Sequence, residues 1–158
     1  DAQLPERLQA AIKRHDVPCE MLILEITESL LVRGPESVIP IMNKLVAMGF
    51  ALSLDDFGTG YSSLAYLKKF PITTLKIDRT FVTGIPEDMN DCAIAQAIVT
   101  MGKQLRQEIV AEGVETVEQM EFLRDLGCDQ LQGYLFSPPV SADDFEQMVR
   151  EDRRLVQP

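Results

Sequence analysis

Two adjacent aspartates, Asp55 and Asp56, follow the apolar run from Ala51 to Leu54 and precede a loop that contains Gly58 and Gly60. Neighbouring carboxylates repel each other unless a cation lies between them. Carboxylate oxygens are also the ligands that hard divalent cations bind in proteins. The pair therefore predicts a divalent metal site at the end of a strand.

Other short apolar runs in the chain also lead into residues that can bind a metal or tune its charge. These residues are Glu25 and Glu28 after the run Met21 to Leu24, Lys76 and Asp78 after Thr74-Leu75, Glu112 and Glu115 after Ile109 to Ala111, and Gln132 after Leu131. Five apolar runs with polar ends predict five strands whose ends share one site.

Amphipathic segments of helical period separate these runs. They are Leu4 to His15 before the first run, and then Val38 to Met48, Ser62 to Phe70, Asp91 to Leu105, Thr116 to Leu126 and Ala142 to Arg150. Gly49 and Gly127 stand where a C-terminal glycine cap is expected, and Thr116 with Gln119 forms a capping box. Strands that alternate with helices predict a parallel α/β fold.

The number of polar strand ends decides between an open sheet and a barrel. In an open doubly wound sheet, the ligand binds at a switch point, so that only one or two strand ends carry site residues. In a (β/α) barrel, the loops of all strands converge on one face. Because all five predicted strands end in such residues, the pattern indicates a TIM-type barrel.

The length predicts that this barrel is incomplete. A TIM-type barrel takes about 250 residues and eight strands, whereas the chain has 158 residues and begins at Asp1. We therefore expect residues 1–158 to form the C-terminal part of one domain, with about three strands upstream. An arc of five strands would have two open edges that invite pairing with a second copy; alternatively, the missing strands belong to the same protein.

Charge and composition exclude several classes of function. The net charge is −10 and the basic residues are dispersed, which makes polymeric nucleic acid an improbable partner. Binding of a small phosphodiester is compatible with the sequence if a bound metal ion makes the electrostatic potential around the carboxylates positive. The chain has no GxxxxGK[ST] or GxGxxG motif, and so no nucleotide cradle of either kind is predicted.

Cysteine usage and hydropathy indicate a soluble cytoplasmic domain. The three cysteines are scattered and the chain has a single histidine, which argues against zinc ligation and a disulfide framework. No apolar run approaches the roughly 18 residues that a membrane span requires. We therefore expect no membrane contact by this segment, although an upstream segment could tether the protein to the inner membrane.

Five motifs in order and spacing resemble those of EAL-domain cyclic di-GMP phosphodiesterases. The motifs are Leu24-Glu25-Ile26-Thr27-Glu28-Ser29, the segment from Asp55 to Leu64 (DDFGTGYSSL), Leu75-Lys76-Ile77-Asp78-Arg79, Ala111-Glu112-Gly113-Val114-Glu115 and Gln132-Gly133-Tyr134. The resemblance covers the chain from about Leu8 to the helix that contains Phe145. It implies hydrolysis of cyclic di-GMP to linear pGpG in bacterial signalling.

The resemblance also implies the metal ligands. Glu25 corresponds to a ligand of the first metal, Asp55 to the ligand that bridges two metals, and Asp56 to a ligand of the second metal. Glu112 corresponds to a glutamate that contacts the second metal or its water. Hard oxygen ligands of this kind select Mg²⁺ or Mn²⁺, and two such ions about 3.5 to 4 Å apart activate water for attack on a phosphodiester.

Further roles follow from the same resemblance. Lys76 corresponds to the lysine that hydrogen-bonds the nucleophile, and Gln132 to the glutamine that orders the attacking water. Glu28 corresponds to the glutamate that anchors the loop containing Gly58, Thr59 and Gly60. Asp78 and Glu115 are further polar residues at the strand ends.

Each motif has a structural alternative when it is taken alone. Asp55-Asp56 could open a turn, Glu25 and Glu28 could be solvated residues beyond a strand, and Lys76 could pair with a surface acid. Glu112 and Glu115 could mark the start of a helix. The recurrence of such residues at successive strand ends favours a shared site over these alternatives.

Residues that the family uses upstream do not occur in this sequence. The glutamate of the EAL signature, the asparagine on the next inward strand, and the arginine and other residues that hold the guanines would all precede Asp1. A first site reduced to Glu25 and Asp55 would bind Mg²⁺ weakly. We therefore expect the chain alone to be a poor enzyme. Three functions stay open: a phosphodiesterase, a receptor that binds cyclic di-GMP without cleaving it, and a dimerisation module. A homodimer and an upstream sensor or cyclase domain are the expected protein partners.

Overall fold

The framework of the chain is a five-stranded parallel sheet. The computed structural model describes residues 3–29, 35–60 and 67–155. The strands are β1 (Ile23–Thr27), β2 (Ala51–Phe57), β3 (Thr74–Ile77), β4 (Glu108–Glu112) and β5 (Gln130–Gln132). Each strand pairs with the next in the order β1-β2-β3-β4-β5. Sequential parallel pairing is the arrangement of a (β/α) barrel wall, which confirms the predicted fold class.

Helices connect the strands as the periodicity predicts. The helices of the described residues are α1 (Leu4–His15), α2 (Pro35–Ala47), α3 (Met89–Gln104), α4 (Val117–Leu126) and α5 (Ala142–Arg150). The predicted bounds of α1 and α5 are confirmed to the residue, and those of the other three to within three residues. The predicted helix from Ser62 to Phe70 lies largely outside the described residues. None of these helices has the length and apolarity required to cross a membrane.

The strands extend further than their apolar runs. The sequence places polar residues after each run, but β1 includes Glu25, β2 includes Asp55 and Asp56, and β3 includes Lys76. The backbone of a polar residue pairs in a sheet as well as that of an apolar one, so hydropathy alone ends the strands too early. These four candidate residues therefore lie within the sheet rather than in loops.

The core lies between the sheet and the helices. Alternate strand residues such as Leu52, Leu54, Leu75 and Ile109 are fully buried. They join one cluster with apolar residues of the helices, which include Met42 and Leu45 of α2, Ile98 and Val99 of α3, and Leu123 of α4. This packing fixes the helix-facing side of the strands and leaves the other side for the polar residues.

The predicted caps of α4 are confirmed. The Thr116 hydroxyl accepts the backbone N–H of Gln119, and the Gln119 side chain accepts the N–H of Thr116, which completes a capping box. Gly127 ends the helix in the left-handed conformation, with φ of 95°. Since these contacts satisfy backbone groups at both helix ends, they fix the entry from β4 into α4.

Gly133 allows a close approach of two backbone segments after β5. A Cβ atom at this position would lie 2.0 Å from the Val114 carbonyl oxygen and 2.3 Å from the Val114 nitrogen. The Val114 N–H donates to the Gln132 carbonyl at 3.1 Å, and the Leu135 N–H donates to the Val114 carbonyl at 3.0 Å. Glycine is therefore required for the contact that holds the end of β5 against the segment after β4.

Asp129 connects the opposite ends of β4 and β5. Its carboxylate accepts the Ile109 N–H at 2.7 Å and the Lys103 ammonium at 2.5 Å. Partial burial opposes ionisation, but the hydrogen bonds from Lys103 and Ile109 outweigh burial and lower the pKa of Asp129. The ionised form therefore stabilises this end of the sheet.

Replacement of Gly133 with alanine is expected to destabilise the fold by about 1 to 3 kcal/mol, because the added methyl group overlaps backbone atoms that have no space to move. Urea unfolding of the Gly133→Ala variant measures this change. Gly127→Ala is the matched control, since no atom lies within 4 Å of its added Cβ and its cost comes from the left-handed φ alone. Equal losses in the two variants would contradict the close approach.

Replacement of Asp129 with asparagine is expected to lower the free energy of unfolding by about 1 kcal/mol at pH 7. The folded-state pKa of Asp129 lies below the unfolded value, so its contribution is complete above the unfolded pKa and is lost as the pH falls through the folded one. The difference between the two proteins should therefore shrink below about pH 4. Urea titrations at pH 7 and at about pH 3.5 test this.

Asp125→Asn is the control for this pH series. Asp125 is exposed and pairs only with the adjacent Arg124 in the described residues, so it should change the stability by less than about 0.5 kcal/mol at either pH. An Asp129→Asn effect that does not depend on pH would show that the carboxylate charge is not what stabilises this end of the sheet.

Candidate functional site

Lys76 lies at the centre of a cluster of carboxylates from three other strands. Its ammonium is 2.7 Å from Glu25 Oε1 of β1, 3.1 Å from Asp55 Oδ1 of β2 and 2.6 Å from Glu112 Oε1 of β4. We call these four side chains the Lys76 cluster. The structure thus brings together four of the predicted site residues through one buried cation.

The sheet positions this cluster. Side chains alternate between the two faces of a strand, so Lys76 lies on the opposite face from Leu75 and Ile77, which pack in the core. Parallel pairing aligns the C-terminal ends of β1 to β5, with Thr27 opposite Asp55 and Glu112 opposite Gln132. The cluster therefore depends on the register of four strands.

The carboxylates hold Lys76 in its charged form. Only 6% of the residue is exposed, and burial by itself would lower the pKa of a lysine. Hydrogen bonds to Glu112, Glu25 and Asp55 outweigh this effect and raise the pKa of Lys76. The side chain is therefore a hydrogen-bond donor and a positive charge, not a base, at neutral pH.

Asp56 differs from its neighbour Asp55 in conformation and surroundings. It has a left-handed backbone with φ of 57°, and the pairing of β2 with β3 is irregular between Leu54 and Phe57. This break in the alternation lets both carboxylates reach the same edge of the sheet. Burial and the negative charges of Asp55 and Asp78 raise the pKa of Asp56.

Glu28 connects the end of β1 to the loop after β2. The residue is 1% exposed, and its Oε2 accepts the N–H of Gly58 at 2.9 Å and of Gly60 at 3.2 Å. These are the contacts that a loop anchor would make. Thr59 bonds inside the loop instead, because its hydroxyl donates to the Asp56 carbonyl at 2.8 Å.

A cavity of about 960 Å³ adjoins the cluster. Its polar side includes Asp56, Asp78, Glu112, Glu115 and Gln132. Its apolar and aromatic lining includes Tyr134, Phe136, Pro138, Pro139 and Phe145. The cavity therefore combines an acidic edge with a surface suited to a flat organic ring.

Besides Asp56, three predicted residues line this cavity without joining the Lys76 cluster. Asp78 accepts the Thr80 N–H at 2.9 Å and the Thr80 hydroxyl at 2.6 Å, which caps a short 3-10 turn from Arg79 to Phe81. The backbone of Glu115 is held by Gln119 at 2.8 Å. Gln132 is exposed at the end of β5. Their predicted roles therefore depend on a ligand in the cavity.

Sequence reasoning gave no role to Arg79, Tyr134, Phe136 or Phe145, all of which line the cavity. Arg79 and Tyr134 belong to the recognised motifs, but a single residue beside a motif carries little information. The signal that could have indicated the apolar wall is the set of aromatic residues just beyond the last strand.

The oxygen donors at this edge are of the type that binds divalent cations, but most of them contact Lys76. Among residues 3–29, 35–60 and 67–155, no three acidic, histidine or cysteine side chains converge closely enough to hold a metal ion, since Glu25, Asp55 and Glu112 converge on Lys76. Asp56, however, experiences unbalanced negative charge from Asp55 and Asp78. A cation beside Asp56 would relieve that repulsion, and carboxylate and amide oxygens suit Mg²⁺ or Mn²⁺.

Comparison with known proteins identifies relatives in sequence. MucR of Pseudomonas aeruginosa, a bifunctional diguanylate cyclase and cyclic di-GMP phosphodiesterase, is 49% identical over 142 residues, which are 90% of this chain and 21% of MucR. The chain spans about a fifth of the length of the curated relatives that it matches first.

Solved structures share the fold. The phosphodiesterase of MucR in complex with cyclic di-GMP superposes with a TM-score of 0.88 at 48% identity, over 91% of this chain and 58% of the other. BlrP1 of Klebsiella pneumoniae, solved with cyclic di-GMP and either manganese or calcium, has a TM-score of 0.79 at 30% identity, over 85% of this chain and 34% of the other. The family model of the EAL domain matches residues 1–139, and the chain therefore belongs to the EAL domain family.

Proposed function

We propose that this chain carries catalytic strand ends of a metal-dependent phosphodiesterase that hydrolyses cyclic di-GMP to linear pGpG. The observation that carries the proposal is the Lys76 cluster, in which the predicted residues of four strands meet beside a cavity. MucR, a similar protein, is a cyclic di-GMP phosphodiesterase by name and binds cyclic di-GMP in its structure.

Divalent ions are the proposed cofactors, with Mg²⁺ or Mn²⁺ as the candidates. Glu25, Asp55, Asp56 and Glu112 would hold them, since these carboxylates lie at one edge of the sheet. When bound, the ions supply Lewis-acid activation of water and offset the negative charge of the phosphodiester. The manganese and calcium complexes of BlrP1 support a divalent ion in this family.

The residues of the chain have distinct tasks in this proposal. Lys76 keeps three carboxylates within about 3 Å of one ammonium, and this uses its three N–H donors. It would donate to the reacting water where one of these carboxylates turns from it to a bound ion. Gln132, with an amide that is both donor and acceptor, orients that water. Glu28 holds Gly58 and Gly60 and so fixes the direction of the loop that follows Asp56.

The wider context of the chain belongs to the same proposal. We propose that residues 1–158 form the C-terminal part of one EAL domain in a cytoplasmic protein. A sensor or cyclase domain upstream is the proposed further partner, and MucR, with both activities in its name, supports it.

Helix α3 supports the proposed homodimer. Met89, Ala93, Ile94 and Ala97 are apolar and exposed on this helix. An exposed strip of apolar residues is a common feature of interfaces, and a second copy of the same helix would cover it symmetrically.

The most direct test of this function is a hydrolysis assay on a protein that supplies the remaining strands of the barrel. We expect a chimera in which this chain replaces the matching segment of the MucR phosphodiesterase to convert cyclic di-GMP to pGpG with Mg²⁺ or Mn²⁺. Replacement of Glu112 with glutamine should lower the rate by at least about 10²-fold, as measured by chromatography of the product.

Glu108→Gln is the matched control on the same strand. Glu108 lies at the opposite end of β4, where it accepts a hydrogen bond from Gln130 at 2.8 Å, so its replacement should leave the rate unchanged. A folded chimera that binds cyclic di-GMP without cleaving it would favour a receptor. A folded chimera that does not bind cyclic di-GMP would contradict the proposed function.

Replacement of Ala97 with glutamate is expected to shift the chain from dimer to monomer, because a charge buried in an interface without a partner is costly. Sedimentation velocity measures the change. Ala10→Glu is the control, since Ala10 is an exposed alanine on α1 and the substitution is identical. A wild-type chain that is monomeric at all concentrations would refute the homodimer.

A further inference from the structure

The ammonium of Lys76 uses all of its hydrogen-bond donors inside the Lys76 cluster. A lysine ammonium carries three N–H groups and no acceptor. Among the described residues, carboxylate oxygens take them at 2.7 Å in Glu25, 3.1 Å in Asp55 and 2.6 Å in Glu112. One of these contacts must therefore open before Lys76 can donate to a reacting water.

The three carboxylates differ in how firmly the fold holds them. The side chain of Glu25 is 53% exposed, against 20% for Asp55 and 19% for Glu112. Asp55 has the shorter side chain, and its Oδ1 also accepts the backbone N–H of Asp56 at 3.1 Å. Glu25 belongs to β1, which pairs on one side only among the described strands. Glu25 is therefore the carboxylate that can turn away from Lys76 with the smallest loss of packing.

The charges at the strand ends indicate what Glu25 can turn toward. The cluster contains three carboxylates and a single ammonium, so negative charge is in excess even before Asp56 is added. A divalent cation would be attracted to this excess. The same cation would be repelled by the ammonium, since charges of one sign a few ångströms apart oppose each other. Lys76 and a divalent ion therefore compete for the same carboxylate oxygens.

We propose that Glu25 exchanges its contact with Lys76 for a divalent ion, and that this exchange frees an N–H of Lys76 for the reacting water. The inference rests on the proposed function and makes the role of Lys76 depend on the cofactor. Without the ion, Lys76 holds the acidic strand ends together. With the ion, the same side chain becomes a donor to water. Coupling between two ligands is reciprocal, so the ammonium weakens ion binding by the factor by which the ion loosens the ammonium.

An ion held outside the Lys76 cluster is the alternative. Asp56 lines the cavity together with Asp78 and Gln132, and none of these three side chains contacts Lys76 in the described residues. An ion on them would leave the three contacts of Lys76 intact. The accessibility of the Lys76 amine therefore separates the two arrangements.

The first test is acylation of lysine amines in the chimera with the MucR phosphodiesterase, with and without Mn²⁺, read at each lysine by mass spectrometry of peptides. Lys76 is 6% exposed and should react slowly without the ion and faster at saturating Mn²⁺. Lys103 is the control, because it pairs with Asp129 at the opposite end of the sheet and its acylation should not change. In Glu25→Gln, the increase at Lys76 with Mn²⁺ should disappear.

The second test is calorimetric titration of the same chimera with Mn²⁺. Lys76→Met keeps an unbranched side chain and removes the competing charge, so it should tighten Mn²⁺ binding by about 5- to 150-fold. Lys103→Met is the matched control and should leave the affinity unchanged. Circular dichroism establishes that each variant is folded. If Lys76→Met does not fold, acylation of the unsubstituted protein decides the inference.

Three outcomes would overturn the inference. Unchanged acylation of Lys76 at saturating Mn²⁺ would place the ion outside the Lys76 cluster. Equal or weaker Mn²⁺ binding by folded Lys76→Met would show that the ammonium does not compete with the ion. Absence of Mn²⁺ binding in both proteins would exclude the exchange altogether.

Neither measurement uses cyclic di-GMP, so the proposed function is decided separately by hydrolysis in the same chimera. A chimera that hydrolyses cyclic di-GMP without a change at Lys76 would refute the inference alone. A chimera in which Mn²⁺ exposes Lys76 but no hydrolysis occurs would support the exchange and refute the proposed hydrolysis alone.

Discussion

The charge of one buried ammonium constrains the whole functional edge of the sheet. Lys76 is almost inaccessible to water, and a buried charge without partners costs several kcal/mol. Its partners are Glu25, Asp55 and Glu112, which belong to three different strands. Those carboxylates would in turn repel one another without the ammonium. Four strands must therefore keep one parallel register for the cluster to exist, and the cluster favours that register in return.

A second constraint acts on the two aspartates that adjoin this cluster. In a regular strand Asp55 and Asp56 would point to opposite faces, so only one of them could face the site. The left-handed backbone of Asp56 breaks that alternation, at a cost of about 1 to 3 kcal/mol for a residue other than glycine. Hydrogen bonds from Gly58 and Gly60 to Glu28 hold the following loop. The left-handed backbone of Asp56 and the buried carboxylate of Glu28 thus act together to link β1 to the end of β2.

Local patterns in the sequence predicted most of the fold. Helix periodicity, the Thr116 capping box and the glycine at position 127 act within a few residues, so α1, α4 and α5 could be predicted closely. The site residues could be predicted individually from their types and spacing. Their mutual contacts could not, because Lys76 and Glu25 are 51 residues apart, and only the folded sheet brings them together. The strand ends were missed for a related reason, since backbone pairing continues through polar residues that hydropathy places in loops.

Arg79 shows why adjacency in sequence does not predict a contact. An aspartate followed by an arginine suggests an ion pair, but Asp78 is occupied by the N–H and hydroxyl of Thr80. The two cations near the cavity, Lys76 and Arg79, therefore differ in whether carboxylates pair with them. The protein neutralises Lys76 with three carboxylates, so this cation organises the acidic edge and contributes little net positive potential to the cavity. Arg79 retains its full hydrogen-bonding capacity. In a chain with a net charge of −10, attraction of an anionic ligand would then come from bound divalent ions and from the charge of the Arg79 guanidinium.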